Sequence, residues 1–536
     1  MRRTLYVLLP LLVALALRLY PYSISGLPFS TDAWPLIRNT ELLLENTPVP
    51  LNAKIFDGYN NYYPVSSIFG AIIAETIGLK PIEAMAIFLP VTGALSVLIF
   101  YALVKMFYDE KTGFVASIIF ATAYTLAIFT AGVTKETYAN PLYLLLIFIF
   151  LHPKMGQWTR LSLFTLTSLI LIPTHHLTSF IAIITLSSIA LAEFINNRRT
   201  GLTSQKPRLI LPLILIAGTG LYYELFASAG FQVSLSPSDW LSAASYQVLV
   251  FSITLYIVVN ASKRSTKYII IECLAALGIT TLIVLLTTRR SLIPGAPLLP
   301  SGYILYGTPF IIASALTILG VGGQNAVSRS RHLAILFWFA AVLGLEGYAS
   351  FGIPSLGFGL AYRTLNFIQP SLAILSAVGL CRLYNATNRL NTKKLMKTLA
   401  IAALLAITIL NSYGIYAAVS LQERYMGYFW LYTMPEYHAG AWIAKIANDQ
   451  TVAADVKVSY LLKGYFNVSV DSIQGLKYLA GKTVSEPQIL LVYDQMVKNG
   501  YVLSTSYSVD LPENWMEKLS SLNSIYSNGH VTVNAQ

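Results

Sequence analysis

The residues with the clearest chemical potential lie in a polar loop, Phe29 to Pro64, which follows the first apolar segment. Within it Asp32 stands two residues before Trp34 and six before Arg38. A carboxylate at the edge of a membrane is costly unless it has a function, and such a group can act as a general base. Asp32 also suits the N-cap of a helix over 34–44, so capping is the alternative explanation.

Three further segments place charged or histidine side chains beside apolar runs. They are Lys135 and Glu136 in the turn 132–139, His175 and His176 in the turn 173–179, and Arg363 at the start of a late run. Each also has a purely structural explanation. Glu136 could cap a helix or pair with Lys135, the histidines could hydrogen-bond locally, and Arg363 could extend to lipid phosphate.

The composition excludes a soluble protein. Of 536 residues 55% are hydrophobic and 11% charged, whereas roughly a quarter are charged in soluble domains. The formal net charge is +12, but the basic residues cluster between apolar runs, where membrane orientation and anionic lipids explain them. We therefore expect membrane lipids and no nucleic acid as partners. Cys273 and Cys381 lie in or beside apolar runs and predict no disulfide framework.

Apolar runs of about 20 residues, long enough to cross a bilayer, recur up to residue 420. About thirteen transmembrane helices are expected, near 4–22, 82–107, 113–131, 138–152, 161–175, 177–195, 208–227, 240–260, 268–287, 304–323, 333–350, 360–381 and 397–419. The first run resembles a secretory signal, but no small-residue cleavage site follows it. We interpret it as the first transmembrane helix.

The loops between these runs differ in charge. With the N-terminus in the cytoplasm, about 20 basic residues fall in inner loops and about 8 in outer loops, as the positive-inside rule requires. An odd number of spans then places the C-terminus outside. The sequence predicts a multi-pass protein of the cell membrane, with a transmembrane domain over 1–420, its first outer loop over 21–81, and an extracytoplasmic domain over 421–536.

The C-terminal region mixes two periodicities and, at about 115 residues, is large enough for a small α/β domain. Strand-like runs occur at 451–456, 488–493 and 530–533, and helix-like patterns at 435–446 and 513–522.

On this topology, polar groups from separate segments share the outer face of the membrane. The set comprises Asp32, Arg38, Asp57, Tyr59, Tyr62, Tyr63, Lys135, Glu136, His175, His176, Arg289, Arg290, Glu346, Tyr362 and Arg363. Carboxylates, imidazoles and guanidinium groups on one face predict a catalytic or binding site there.

The order of these motifs resembles the GT-C superfamily of integral-membrane glycosyltransferases, and within it the archaeal oligosaccharyltransferase catalytic subunit and the protein O-mannosyltransferase group. Asp32 to Arg38, followed by Tyr63-Pro64, is similar to the first acidic motif of that family. Ala131 to Glu136 stands at the second acidic motif. Tyr362-Arg363, followed by Pro370, resembles the late span whose arginine faces the lipid phosphate.

The chain departs from the family pattern in two places. Thr134 and Lys135 stand where the second motif would carry a further acid. The C-terminal region lacks the Trp-Trp-Asp motif with which oligosaccharyltransferases read the acceptor sequon; between 441 and 455 its only tryptophan is Trp442, and its acids are Asp449 and Asp455. These departures favour an enzyme that transfers a single sugar from a lipid phosphate.

The resemblance implies a polytopic α-helical GT-C fold with about thirteen transmembrane helices and a small extracytoplasmic α/β domain. It implies transfer of a sugar from a polyprenyl- or dolichyl-phosphate-linked donor to a protein or glycolipid acceptor, with inversion. Asp32 would be the catalytic residue, and Arg38, His175, His176 and Arg363 would bind the phosphate. Asp32 and Glu136 would be the metal ligands; Mn²⁺, Mg²⁺ and a metal-independent reaction all stay open.

Three other functions stay open beside this interpretation. One is oligosaccharyltransferase-type transfer of a whole glycan, and another is a non-catalytic scaffold with the GT-C fold. The third is a lipid or solute transporter, which predicts charged residues near the centres of several spans. The apolar runs carry almost no charge at their centres.

Overall fold

The computed structural model describes residues 2–49, 54–56, 58–200, 208–230, 232, 235–260, 265–292, 296–321, 326–352, 358–385, 390–482, 486–504 and 507–536. Helices form most of it up to residue 419. They are α1 Arg2–Ser25, α2 Ala33–Glu45, α3 Val65–Ile77, α4 Pro81–Phe107, α5 Glu110–Thr122, α6 Tyr124–Ala131, α7 Lys135–Leu151, α8 Gln157–Leu171, α9 His176–Thr200, α10 Ile210–Leu225, α11 Pro237–Asn260, α12 Thr266–Thr287, α13 Ile304–Val321, α14 Ala326–Phe351, α15 Phe358–Asn385 and α16 Leu390–Val419.

Every apolar run predicted to span the membrane is mainly helical over the residues that the structure describes. Within the described ranges, nine helices are long and apolar enough to cross a bilayer. The pair α5 and α6, bent by 61°, is a tenth span if it crosses as one, and a re-entrant loop otherwise. The other three runs form α7, α8 and α10, which have 17, 15 and 16 residues. Helices of that length fall short of the roughly 30 Å hydrocarbon core. The chain is a multi-pass α-helical membrane protein, as predicted.

The chain forms two compact units, each built from separate stretches of sequence. We call Met1–Leu17, Thr92–Phe129 and Tyr138–Gly414 the helical unit, and Arg18–Val91, Thr130–Thr137 and Ile415–Gln536 the mixed unit. The predicted domain boundary at residue 420 and the predicted membrane orientation stay predictions.

The helical unit has an apolar core that contains a buried polar network. The Trp338 indole N–H of α14 donates to the Tyr143 hydroxyl of α7 at 2.7 Å. That hydroxyl also lies 3.1 Å from the Thr185 hydroxyl of α9. Polar groups inside a membrane protein need internal partners, and hydrogen bonds of this kind join neighbouring helices. The network therefore ties three helices together.

The crossing of α13 and α15 depends on two glycines. A Cβ atom at Gly379 would collide with the backbone carbonyl of Leu316, and one at Gly320 would collide with the carbonyl of Leu375. Small residues let membrane helices approach this closely. The two contacts are reciprocal, so the helices touch backbone to backbone on both sides of the crossing.

We expect Gly379→Ala to lower the stability of the folded protein, because α13 and α15 must separate to admit the methyl group. Overpacking of this kind costs about 1–3 kcal/mol. Gly278→Ala is the matched control, since a Cβ on that helical glycine of α12 would meet no neighbouring atom. Thermal unfolding in detergent measures both variants, and equal midpoints would contradict the close crossing.

The C-terminal part of the mixed unit is an α/β structure. Its elements are α17 Met434–Ile446, β1 Val452–Ala453, α18 Val456–Gly464, β2 Val470–Asp471, α19 Gln474–Leu479, β3 Ile489–Tyr493, α20 Asp494–Asn499, β4 Tyr501–Ser504, β5 Tyr507–Val509, α21 Trp515–Ser520, β6 Asn523–Ser527 and β7 Val531–Ala535. The main sheet has the order β2-β1-β3-β7-β6, and β4 pairs with β5. Strand β1 is parallel to β2 and β3, whereas β7 is antiparallel to β3 and β6.

Strand β3 lies at the centre of this sheet because its sequence, Ile-Leu-Leu-Val-Tyr, is apolar throughout. All five residues are buried, as expected of a strand covered on both faces. The predicted strand segments became β1, β3 and β7, and the predicted helical patterns became α17 and α21. The small C-terminal sheet is therefore confirmed.

Candidate active site

The first candidate residue, Asp32, lies in a tight turn before α2. It occupies the N-cap position but its side chain makes no capping hydrogen bond. Among the residues that the structure describes, its partly exposed carboxylate has no hydrogen-bond or ion-pair partner, and only its backbone N–H is bonded, to the Ser30 hydroxyl at 3.2 Å. Capping therefore does not explain the acid. The helix itself, predicted over 34–44, is confirmed as α2.

The second acidic motif lies at the start of α7. Thr134 and Thr137 fix this turn, because the Thr137 N–H donates to the Thr134 hydroxyl at 3.0 Å and the Thr137 hydroxyl donates to the Gly132 carbonyl at 2.6 Å. Glu136 is therefore in the first helical turn, where the helix dipole favours a negative charge. It is only 5% exposed.

A direct backbone bond joins the two acidic motifs. The Val133 N–H donates to the Phe29 carbonyl at 2.9 Å, and Val133 packs in one apolar cluster with Ala33 and Ile37 of α2. Thus Asp32 and Glu136 each lie three residues from this bond. The structure brings the two predicted acidic segments together within the mixed unit.

Tyrosines of the first loop surround the lysine of the second motif. The buried Lys135 ammonium lies 3.8 Å from the centre of the Tyr59 ring and 5.5 Å from that of Tyr63. Contacts at this distance are attractive cation–π interactions. The predicted outer residue Asp57 lies outside the described residues. Lys135 thus adds a positive charge beside Glu136 instead of a further acid.

Arg38, predicted to bind phosphate, projects from α2. Its guanidinium lies 3.4 Å from carboxylate oxygens of both Glu41 and Glu45. These are partly exposed contacts of the kind that contributes little to stability. A phosphate role for Arg38 stays a prediction, and a ligand would have to compete with these two acids.

His175 directly precedes α9 in the helical unit, and His176 is the first residue of that helix. His175 is 3% exposed, and its Nδ1 atom lies 2.7 Å from the Thr178 hydroxyl. The ring of His176 is partly exposed and lies 5.2 Å from the His175 ring, centre to centre. His175 is thus held by its own helix, as the local hydrogen-bonding alternative proposed, while His176 is the more accessible of the two.

Arg363 lies in the second turn of α15, also in the helical unit. Its Nε atom donates to the Tyr362 hydroxyl at 3.4 Å, and the Tyr362 ring stacks on that of Phe129 at 5.6 Å. The guanidinium is partly exposed. The contact with Tyr362 orients the guanidinium of Arg363, a group that stays positively charged.

A carboxylate on the neighbouring helix fixes the residue next to Arg363. Glu346 of α14 accepts hydrogen bonds from the Thr364 hydroxyl and, at 2.6 Å, from the Ser350 hydroxyl. The sequence places Glu346 among the outer polar groups but assigns it no function. The sequence signal for a role of Glu346 is its position as a lone acid inside an apolar run.

The predicted site residues divide between the two units. Asp32, Arg38 and Glu136 belong to the mixed unit, and His175, His176 and Arg363 belong to the helical unit. That both sets face one cavity stays a prediction. Within the described residues, no group of three or more His, Cys, Asp or Glu side chains could hold a metal ion.

Aromatic residues of the C-terminal region pack against α2, the helix that follows Asp32. Trp34 is fully buried among Tyr432, Tyr437 and Tyr465, whose ring centres lie 5.1, 5.9 and 5.5 Å from its own. The Tyr465 hydroxyl also donates to Glu41 of α2 at 2.8 Å. Burial raises the pKa of Tyr465, and its bond to Glu41 adds to the effect. Tyr465 is therefore a stable neutral donor.

A buried ion pair stabilises this supporting region. The Lys457 ammonium donates to Glu436, and both side chains are almost fully buried. Lys457 also lies 5.2 and 4.8 Å from the ring centres of Tyr432 and Tyr493. Removing one partner of such a pair leaves an uncompensated charge, so this pair ties α17 to the start of α18.

Asp455, the second of the two acids between 441 and 455, is fully buried. It accepts hydrogen bonds from the Tyr493 hydroxyl at 2.6 Å, the Val458 N–H at 3.0 Å and the Val502 N–H at 3.3 Å. Burial raises the pKa of Asp455 to about 6, against the opposing effect of these donors. Its carboxylate is thus committed to internal partners.

This raised pKa predicts a pH dependence of stability. Between pH values of about 4 and 6 the folded protein keeps a proton on Asp455 that the unfolded chain has lost. The contribution of Asp455 to the free energy of unfolding is therefore largest at low pH and falls as the pH rises to about 6. Across that pH window the titration of Asp455 should change the free energy of unfolding by about 3 kcal/mol, and we expect Asp455→Asn to remove this change. Thermal unfolding from pH 4 to 7 measures it, with exposed Glu513→Gln as control. Parallel curves for wild type and Asp455→Asn would contradict the assignment.

Chemically, the mixed unit presents a carboxylate on a fixed turn, and the helical unit presents a fixed guanidinium. A carboxylate can accept a proton from a hydroxyl, and a guanidinium can bind phosphate oxygens through two parallel hydrogen bonds. These are the two functions that transfer from a phosphate leaving group requires.

No family model and no curated protein sequence matches the chain. Solved structures do share its fold. The archaeal oligosaccharyltransferase AglB from Archaeoglobus fulgidus, in complex with an inhibitory peptide and a dolichol-phosphate, matches 92% of this chain and 70% of its own, at a TM-score of 0.59 and 14% identity. ArnT from Cupriavidus metallidurans, bound to undecaprenyl phosphate, matches 99% of this chain and 98% of its own, at 0.52 and 11%. Both are GT-C glycosyltransferases, and the chain has the GT-C fold that the motifs predicted.

Proposed function

We propose that the chain is a membrane glycosyltransferase that moves a sugar from a polyprenyl-phosphate donor to a hydroxyl of a protein or lipid-glycan acceptor. The observation that carries the proposal is the Asp32 carboxylate. It is held on a turn bonded to the second acidic motif and has no partner among the described residues. On a GT-C fold, an acid so placed is best explained by catalysis.

In the proposed reaction, the acceptor hydroxyl oxygen attacks the anomeric carbon of the donor sugar. Asp32 takes the hydroxyl proton as the new C–O bond forms. The bond between that carbon and the phosphate oxygen breaks, and the lipid phosphate leaves with its electron pair. A single displacement of this kind inverts the configuration at the anomeric carbon. Arg363 balances the charge of the departing phosphate.

The proposed donor class is supported by the structural comparisons. AglB is seen with dolichol-phosphate and ArnT with undecaprenyl phosphate. Both lipids are polyprenyl phosphates, the product that the proposed reaction would release. We extend this donor class to the present chain, with Arg363 as its main phosphate contact and His176 as a second one.

A divalent metal is not needed in this proposal. Among the described residues, no group of three or more His, Cys, Asp or Glu side chains could hold a metal ion. Asp32 and Glu136 lie in bonded segments and would be the protein ligands of a bound ion, since Mg²⁺ sites can use one or two carboxylates together with phosphates and water. Lys135, beside Glu136, brings positive charge to this segment. No step above therefore passes through a metal ion. Transfer measured with and without a chelator tests this point.

We propose transfer of a single sugar over transfer of a whole glycan because the C-terminal region lacks the Trp-Trp-Asp motif. Of the two acids between 441 and 455, Asp455 is fully buried and bonded to three internal donors. Such a group is not available to an acceptor peptide. Whole-glycan transfer stays the second candidate, because the TM-score to AglB, 0.59, is higher than that to ArnT, 0.52.

We place the reaction on the outer face of the membrane, with the N-terminus in the cytoplasm and the C-terminal region outside. The proposal follows the positive-inside rule for the loops. Labelling of single cysteines at Glu75 and Lys393, which are both exposed and lie on opposite sides in this orientation, tests it in intact cells.

The activity is tested with the purified full-length chain in detergent or vesicles. Radiolabelled dolichyl-phosphate mannose and dolichyl-phosphate glucose are offered with peptide and glycolipid acceptors. Transfer of label from the monophosphate donors supports the proposal. Transfer only from a diphosphate-linked glycan supports the second candidate, and movement of intact donor lipid across vesicles without transfer would indicate a transporter.

A further inference from the structure

The residue two positions before Asp32 has an unusual backbone. Ser30 has a φ of 94°, a conformation that residues other than glycine rarely adopt. The residue is also 6% exposed. Strained backbone of this kind persists only where the surrounding structure determines it, and it often lies at functional sites.

All the polar backbone and side-chain groups of Ser30 are used in the turn. Its N–H donates to the Trp430 carbonyl at 2.9 Å, and its carbonyl accepts from the Ala33 N–H at 3.3 Å. Its hydroxyl accepts from the Asp32 N–H at 3.2 Å. Ser30 therefore links Asp32 on one side to a C-terminal carbonyl on the other.

The acceptor, Trp430, is itself fixed in a short 3₁₀ turn over Tyr428–Trp430. Its N–H donates to the carbonyl of Gly427 at 3.0 Å. Gly427 has a φ of 98°, and a side chain there would press against the indole of Trp430. On its other side the indole meets the Phe29 ring edge to face, with ring centres 6.0 Å apart. The carbonyl that holds Ser30 thus has little freedom.

We propose that Ser30 is a positioning residue for Asp32, and that the Trp430 carbonyl of the C-terminal region holds it in place. The proposal rests on the proposed function, since it takes Asp32 as the base. In this view the strained turn sets where the carboxylate stands relative to the reacting hydroxyl. A misplacement of about 1 Å at a reacting group can lower a rate about a hundredfold.

The variant Ser30→Gly distinguishes a role of Ser30 in positioning Asp32 from a role in folding. Glycine adopts a φ of 94° without strain but lacks the hydroxyl that holds the Asp32 N–H. We therefore expect Ser30→Gly to unfold at the same temperature as wild type or above it, while its kcat falls at least fivefold. The KM for the lipid donor should change less than twofold. If Ser30 had only a structural role, its replacement would not lower kcat while leaving the thermal stability unchanged.

Ser30→Asn is the conservative variant that should restore activity. Asparagine tolerates positive φ, and its side-chain oxygen can accept from the N–H two residues on. We expect its kcat to return to within twofold of wild type. Wild-type kcat in Ser30→Gly, or an equal loss in both variants, would overturn the proposal.

Measuring Asp32→Asn in the same assay keeps the two proposals distinguishable. Near-normal activity in that variant would refute Asp32 as the base and the positioning role with it. An inactive Asp32→Asn beside a fully active Ser30→Gly would refute only the positioning role.

Discussion

Asp32→Asn is expected to lower kcat for sugar transfer at least a hundredfold. The amide cannot accept the acceptor's proton, and general base catalysis contributes about 10²–10⁴ to a rate. The variant should still fold, because the Asp32 carboxylate has no hydrogen-bond or ion-pair partner among the described residues that the change could break. Initial rates with saturating donor and acceptor measure the effect.

The matched control for Asp32→Asn is Glu75→Gln. Glu75 is an exposed acid on α3 of the same unit and has no partner among the described residues. It should keep wild-type kcat and thermal stability. Loss of activity in Asp32→Asn together with loss of fold, seen as early aggregation, would assign Asp32 to structure, and near-normal activity would remove it as the base.

Arg363→Ala is expected to raise the KM for the lipid donor and to lower kcat, each about tenfold or more. The guanidinium would bind the phosphate in the donor and more strongly as negative charge grows on the leaving oxygen, so both constants should suffer. Arg363→Lys should recover only part of the loss, because an ammonium cannot make two parallel bonds to one phosphate. Donor titrations at saturating acceptor separate the constants.

Lys393→Ala on α16 controls for the loss of a positive charge, since Lys393 is exposed there. Its donor KM should equal that of wild type. An unchanged kinetic profile in Arg363→Ala would assign that arginine to its contact with Tyr362 and refute the phosphate role. A change in kcat alone would place Arg363 at the leaving oxygen and not in donor binding.

Much of the helical architecture was predictable because apolar runs leave a strong signal. All thirteen runs are mainly helical over the described residues, and α2 begins one residue before its predicted start. Lengths were less predictable: the run expected over 208–227 forms α10, whose 16 residues are fewer than a bilayer needs, because apolar composition does not determine where the backbone turns. Strand β3 was evident from its continuous apolar sequence.

The details of the candidate site were less accessible from sequence. Asp32 and Glu136 could be picked as acids beside apolar runs, but the Val133–Phe29 bond between their segments could not. A backbone hydrogen bond between distant segments depends on no side chain and leaves no pattern. The positive φ of Ser30 was hidden for a similar reason, since serine rarely adopts it. Glu346 was visible as an acid, but its partners Thr364 and Ser350 were not.

The bond from Ser30 to Trp430 also sets an order of events during synthesis. Its two residues are separated by about 400 positions, and chains grow at about 5–20 residues per second. The turn that carries Asp32 leaves the ribosome tens of seconds before its acceptor carbonyl exists. We expect nascent chains arrested before Trp430 to insert their helices and yet leave this turn open to proteases. Assembly of the turn would then be one of the last steps in biogenesis.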